Sequence, residues 1–140
     1  MKKIFTLAFI ALTLLVTACG KSNNDNPNPT SQDDAKKALI GMWYLVSSND
    51  AGEDVKLTEC DKQEHIVITE DSYTIFEALN ISNNCTIKES KNTFSILGDK
   101  LTVDKSVYTF SVSGNKLILT YTEKDENGEE VTSTDTYEKR

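Results

Sequence analysis

The chain has 140 residues and a formal net charge of −7, with 22 acidic side chains against 15 basic ones and a single histidine. That length allows one domain. An acidic balance is repelled by nucleic acid and by anionic lipid surfaces, which excludes both as the main partner. It suits an exported domain kept from aggregating by its own charge.

Lys2 and Lys3 precede Ile4 to Val16, thirteen residues without a charge, and small residues follow up to Cys19. A positive start, an apolar middle and small residues before a cut are the layout of a signal peptide over residues 1–18. A lasting membrane span would need about twenty apolar residues, so the run does not read as one. Its removal takes Lys2 and Lys3 and moves the charge from −7 to −9, 13 cations against 22 acids. Val16-Thr17-Ala18-Cys19 resembles a bacterial lipobox, with Val rather than Leu at its first position. The resemblance implies cleavage before Cys19 and a diacylglyceryl thioether on its sulfur, carrying acyl chains such as palmitate. Stable anchoring takes more than one such chain, at about 0.8 kcal/mol per buried CH₂. An ordinary secretory signal ending at Ala18 is the alternative. Gly20 rather than Asp after the cysteine implies an outer-membrane lipoprotein, facing the periplasm or the cell surface.

Residues 19–32 form the lipidated cysteine and its tether. Gly20 to Gln32 holds both prolines of the chain and no hydrophobic side chain, so it buries too little to order itself. Fully stretched it reaches roughly 43 Å. The folded domain is expected over residues 33–140. Asp33 and Asp34 stand before Ala35 to Ile40, with Lys36 and Lys37 behind them, the charge order a short helix prefers. Gly41 ends it.

From Met42 onward strand signals recur at short spacing. They cover residues 42–48, 65–69, 73–79, 93–97, 101–104, 107–112, 116–122 and 131–138, each bounded by turn residues. Alternation is clean in the middle, where Leu101 and Val103 oppose Thr102 and Asp104, and Tyr108, Phe110 and Val112 oppose Thr109 and Ser111. Ile75 and Phe76 are adjacent apolar residues, which means a bulge or burial on both faces. Eight short strands with tight turns predict an all-β antiparallel meander, a barrel or a sandwich.

A short polar helix running into Gly41-x-Trp43, a following set of antiparallel strands and a terminal Tyr137-x-Lys139-Arg140 resemble the lipocalin-like domains of bacterial lipoproteins. The resemblance covers residues 35–140. It implies an eight-stranded up-and-down barrel of the calycin type with Trp43 plugging the closed end. It also implies a basic residue stacked on that indole, Arg140 first and Lys139 second. Lipocalins proper are longer, so their ligand residues do not carry over.

With Cys19 lipidated, Cys60 and Cys85 are an even pair in an oxidising compartment. A bridge would close a loop of about 26 residues and contribute roughly 3.5 kcal/mol by chain entropy. Zinc is the weaker reading of the pair, since only His65 offers a third ligand of the usual kind; no metal and no cofactor is expected. His65 has no serine, cysteine or acid at a spacing that would make a triad, so it reads as an edge-of-strand residue. Asp125-Glu126-Asn127-Gly128 lacks the alternating ligands of a calcium loop and reads as a hairpin turn.

Three classes of function stand against these residues. The first is a binding module holding a small apolar ligand, with Phe94, Tyr108, Phe110, Leu119 and Tyr121 lining the barrel or filling it. The second is a loop-based inhibitor or interaction module for a basic protein such as a lysozyme, favoured by an ordered, protruding loop at residues 49–63 or 80–92. The third, an enzyme, finds no catalytic site in the sequence, and the expectation is a non-catalytic protein.

Overall fold

The computed structural model describes residues 31–140. The signal peptide, Cys19 and nearly all of the tether therefore lie outside the described residues. The first element is the helix α1, Gln32–Leu39. Ser31 caps it, its Oγ accepting the Asp34 backbone N–H at 3.2 Å, with Asp33 and Asp34 in the first turn and Lys36 and Lys37 in the last. Both features match the exposed donors and the dipole of a helix. The cap draws Gln32 into the first turn, and its Nε2 donates to the Ile96 carbonyl, so the helix begins inside the segment read as tether. Ala35 and Leu39, one helical turn apart, form its buried stripe.

Ten strands follow: β1 (Gly41–Asp50), β2 (Glu53–Val55), β3 (His65–Ile68), β4 (Tyr73–Ile81), β5 (Asn84–Asn92), β6 (Phe94–Leu97), β7 (Lys100–Val103), β8 (Ser106–Ser113), β9 (Lys116–Lys124) and β10 (Glu130–Lys139). They form one antiparallel sheet in the order β5-β4-β3-β1-β10-β9-β8-β7-β6, with β2 paired to β1 off this path. Apart from the steps from β2 to β3 and from β5 to β6, successive strands are neighbours, and β1 joins the first part of the chain to the last. Trp43 lies opposite Lys139 and Leu45 opposite Tyr137 on one side, and Trp43 opposite Ile66 on the other. A bulge between Leu45 and Ser47 bends β1 and helps the sheet curl. The curl is an all-β, up-and-down half-barrel. Its two edges, β5 and β6, are joined through Thr93 without pairing in the sheet.

The strand count corrects the expected eight. β2 is three exposed residues. β5 is nine residues exposed almost throughout, and it pairs with β4 from Tyr73–Asn92 to Ile81–Asn84. Neither strand buries a face, so neither carries the apolar alternation that marks a strand. The turn between β4 and β5 is made by Ser82 and Asn83, both at positive φ, the backbone of a tight hairpin. Ile75 and Phe76 sit in β4 without a register slip toward β3 or β5; the two faces of the strand are covered instead.

The core gathers where α1 closes one end of the curl. Trp43, Leu39, Ile66, Ile68, Leu101 and Leu117 are its fully buried large side chains. Leu45, Val103, Phe110 and Tyr137 are among the residues that join them in one cluster.

Candidate functional site

The closed end comes first, because it sets the floor of the site. Trp43 is 0% exposed, and its Nε1–H donates to the Leu39 carbonyl at 2.7 Å. That carbonyl is one of the unpaired acceptors at a helix C-terminus, so the indole satisfies both itself and the helix. Lys139 Nζ stands 5.0 Å from the indole centroid, in cation–π range. Gly41 makes this possible: it adopts φ +148, and a Cβ there would collide with Lys139 Cε. Arg140 is not over Trp43. Its guanidinium lies 4.6 Å from the Tyr44 ring, because side chains alternate along β10 and only Lys139 shares the inner phase of Tyr137.

Above this floor the curled sheet shapes a half-open cavity of about 440 Å³. Ile66, Ile75 and Leu119 give it apolar walls, and Tyr73, Tyr108, Tyr121 and Tyr137 give it ring faces with hydroxyl tips. Period-two alternation on β10 puts Ser133, Asp135 and Tyr137 on the same wall, and the same period on β4 puts Tyr73, Ile75 and Glu77 on the other. Glu64, just ahead of β3, completes the polar set. Lys88 and Ser90 of β5 stand at the open side, Lys88 directly opposite Glu77 in the β4–β5 register.

Of the five residues expected to line the barrel, Tyr108, Leu119 and Tyr121 are at the cavity, and the two tyrosine rings lie 5.5 Å apart. Phe110 points inward but is packed in the filled layer, one step deeper on β8 than Tyr108. Phe94 is elsewhere: β6 packs beside α1, so its ring meets that helix in a separate groove with Gln32 and Lys36. Lys36 Nζ stands 5.8 Å from the ring centroid.

Burial shapes the chemistry of the polar set. Glu64 has its pKa raised, first by desolvation and then by Asp135, against a hydrogen bond from Tyr137 that opposes the rise. That bond, Tyr137 hydroxyl to Glu64 Oε1, is long at 3.4 Å. Burial likewise pushes the Tyr73, Tyr137 and Tyr108 phenols above their ordinary range. Glu64, Tyr73 and Asp135 were not singled out from sequence. The available signal was the phase of β10, where Asp135 falls two residues before the inward Tyr137 and so on the same face.

The remaining sequence candidates lie outside the cavity. Cys60 and Cys85 form a disulfide with Cα atoms 5.4 Å apart, pinning the tip of the β4–β5 hairpin to the segment before β3. His65 is stacked between Tyr44 at 5.0 Å and Phe76 at 4.4 Å, ring to ring, on the face opposite Ile66. Among the described residues no group of three His, Cys, Asp or Glu side chains is placed to hold a metal ion.

A family model described as a lipocalin-like domain matches residues 39–137. Among solved structures, an odorant-binding protein, OBP1, is similar at 12% identity and TM-score 0.47, over 75% of this chain and 73% of its own. Aphrodisin, a sex pheromone from female hamster, is similar at 18% identity and TM-score 0.45, over 73% and 75%. A zebrafish ileal bile acid-binding protein complexed with cholic acid is similar at 22% identity and TM-score 0.42, over 74% and 99%. No curated protein matches the chain.

Proposed function

The chain belongs to the family of lipocalin-like domains, and from that membership we propose that it is a non-catalytic binding module that holds one small, largely apolar molecule. One observation carries the reading. The curled sheet leaves about 440 Å³ unfilled above the Trp43 floor, within the range of about 300–1,000 Å³ typical of small-ligand sites. Apolar walls supply the affinity of burial, and a few hydroxyls and carboxylates supply orientation. Through Cys19 the module is anchored by lipid to the outer membrane, and the tether lets the barrel stand off that surface on either side.

The cavity is tested by filling it. Nile red, a neutral apolar dye, should brighten and shift to the blue on binding the wild-type domain. Ser133→Trp places an indole in the cavity and should abolish that signal while the domain still melts cooperatively. Equal dye binding by both proteins sinks the reading. The anchor is tested in cells: a Cys19→Ser protein should leave the membrane fraction, and retention there would refute the lipid attachment.

A second reading has an observation in its favour. Residues 80–92 form an ordered hairpin pinned by the disulfide, with Ile81 and Ile87 exposed. Such a hairpin, with two exposed isoleucines, is a platform for a protein partner; the acidic balance of the rest of the chain would suit a basic one. Substituting Ile81 and Ile87 by serine would remove that platform and leave dye binding intact.

A further inference from the structure

We propose that the ligand is a cation: an apolar body bearing a primary or secondary ammonium group and no anionic group. The inference rests on the cavity being a ligand site, and it concerns which polar head that site accepts.

Tyr73 is the starting point. The residue is 3% exposed, yet its hydroxyl has no hydrogen-bond partner among the described residues, while the neighbouring Tyr137 hydroxyl is committed to Glu64. Among the described residues no buried side-chain oxygen is both sealed off and unpartnered. The Tyr73 oxygen therefore reaches the cavity that the residue lines. An oxygen open to the cavity takes its partner from whatever fills that space, water or a ligand.

The surroundings say which kind. Glu64 and Asp135 face the same space, and both raise the pKa of the Tyr73 phenol by their charge. The Glu64 carboxyl has two protein donors, the Tyr137 hydroxyl at 3.4 Å and the Ala78 backbone N–H. The Tyr137 O–H is thus already used, the Tyr73 hydroxyl can accept or donate, and the two carboxylates set the sign of the charge. An ammonium brings up to three N–H donors and the opposite charge. A carboxylate or phosphate head would be repelled, and an alcohol offers a single donor. Lys88 is the one cation in the lining. It lies opposite Glu77 across the β4–β5 register at the exposed edge, and among the described residues it forms no ion pair with Glu64 or Asp135. A metal ion is the weaker occupant, since no triad of ligand side chains is assembled.

The test uses three ligands with the same tail, namely octylamine, octanol and octanoate, each displacing Nile red from the folded domain. The expected order is amine, then alcohol, then carboxylate, with the amine at least ten-fold tighter than the alcohol. Glu64→Gln with Asp135→Asn should bring amine and alcohol to the same affinity. Glu129→Gln with Glu130→Gln, the same loss of two charges outside the cavity lining, should leave the preference unchanged. Should the double variant not fold, Tyr73→Phe and each single substitution carry the test, and each should narrow the ratio of amine to alcohol. Amine and alcohol binding alike in the wild type would overturn the ammonium head and leave the cavity as a ligand site. If none of the three displaces the dye, and Ser133→Trp binds dye as well as wild type, the cavity reading fails and the inference fails with it.

Discussion

The two ends of this sheet's interior are made from the same strands and by opposite rules. β10 carries Lys139 over the indole at one end and Asp135 and Ser133 into the cavity at the other. At the Trp43 end packing is complete and the polar atoms are matched, down to the indole N–H on the helix carbonyl. At the cavity end the Tyr73 hydroxyl has no partner among the described residues, and Glu64 stands beside a second acid with a long bond to Tyr137. A chain that satisfies every rule at one end and breaks two at the other separates its sources of stability from its site. Departures of this kind concentrate where a protein does its work.

The comparison is broken most directly at its stable end. Trp43→Ala removes the largest fully buried side chain and strands the Leu39 carbonyl. A loss of about 3–5 kcal/mol is expected, a large share of the roughly 5–15 kcal/mol a domain possesses. Thermal unfolding should show the midpoint falling by on the order of 15 °C, and Trp43→Phe should fall less. Next in size is the disulfide. Replacing Cys60 and Cys85 together by serine should lower stability by about 3.5 kcal/mol. It should also weaken Nile red binding, because the freed hairpin carries Lys88 and Ser90 of the cavity wall. Unchanged dye binding would mean that the hairpin holds its place without the bridge.

Much of the packed end was legible in the sequence, and the cavity end much less so. Leu101 and Val103, or Tyr108 and Phe110, announce their strands because a half-buried strand must alternate. β5 has no such pattern, since a strand exposed on both faces is under no pressure to show one, and its nine residues read as loop. Trp43 could be placed by its neighbours in the chain. The partner cation could not, until the β1–β10 register put Lys139 opposite it and turned Arg140 toward Tyr44. Glu64 and Asp135 went unread for a related reason: an acid in an acidic chain is taken as solvated, and only the sheet's curl reveals that two of them face inward.

A smaller effect sharpens the account of the floor. Lys139→Ala should remove an ion held over a buried ring, at about 0.5–2 kcal/mol. Arg140→Ala should have less effect, because Tyr44 is partly exposed. Gly41→Ala should exceed Lys139→Ala, since it both displaces the lysine and forces an L-residue to φ +148. Chemical denaturation of the three variants ranks them. Arg140→Ala proving the worst of the set would return the stacking role to Arg140.

The smallest effect expected is one of sign. Glu64 has its pKa raised above the ordinary 4.5, first by desolvation and then by Asp135. In that case the folded protein binds the proton more tightly than the unfolded chain. Stability from this group is then present at a pH below 4.5 and is lost as pH rises through the folded pKa. Asp125 runs the other way: backbone N–H groups of Glu129 and Asn127 hold its carboxyl low, so its contribution is present at neutral pH and lost in acid. Glu64→Gln should keep an acceptor for Tyr137 and remove the ionised carboxylate. Its thermal midpoint should lie above wild type at pH 7, and the gap should close as the buffer approaches pH 4. Tyr137→Phe should act oppositely in wild-type background, taking away the larger of the two hydrogen bonds that favour the carboxylate and lifting the Glu64 titration further. A midpoint for Glu64→Gln that falls below wild type at pH 7 would mean that the carboxylate stabilises the fold. The cavity end would then be a second structural centre, and its contrast with the Trp43 end would disappear.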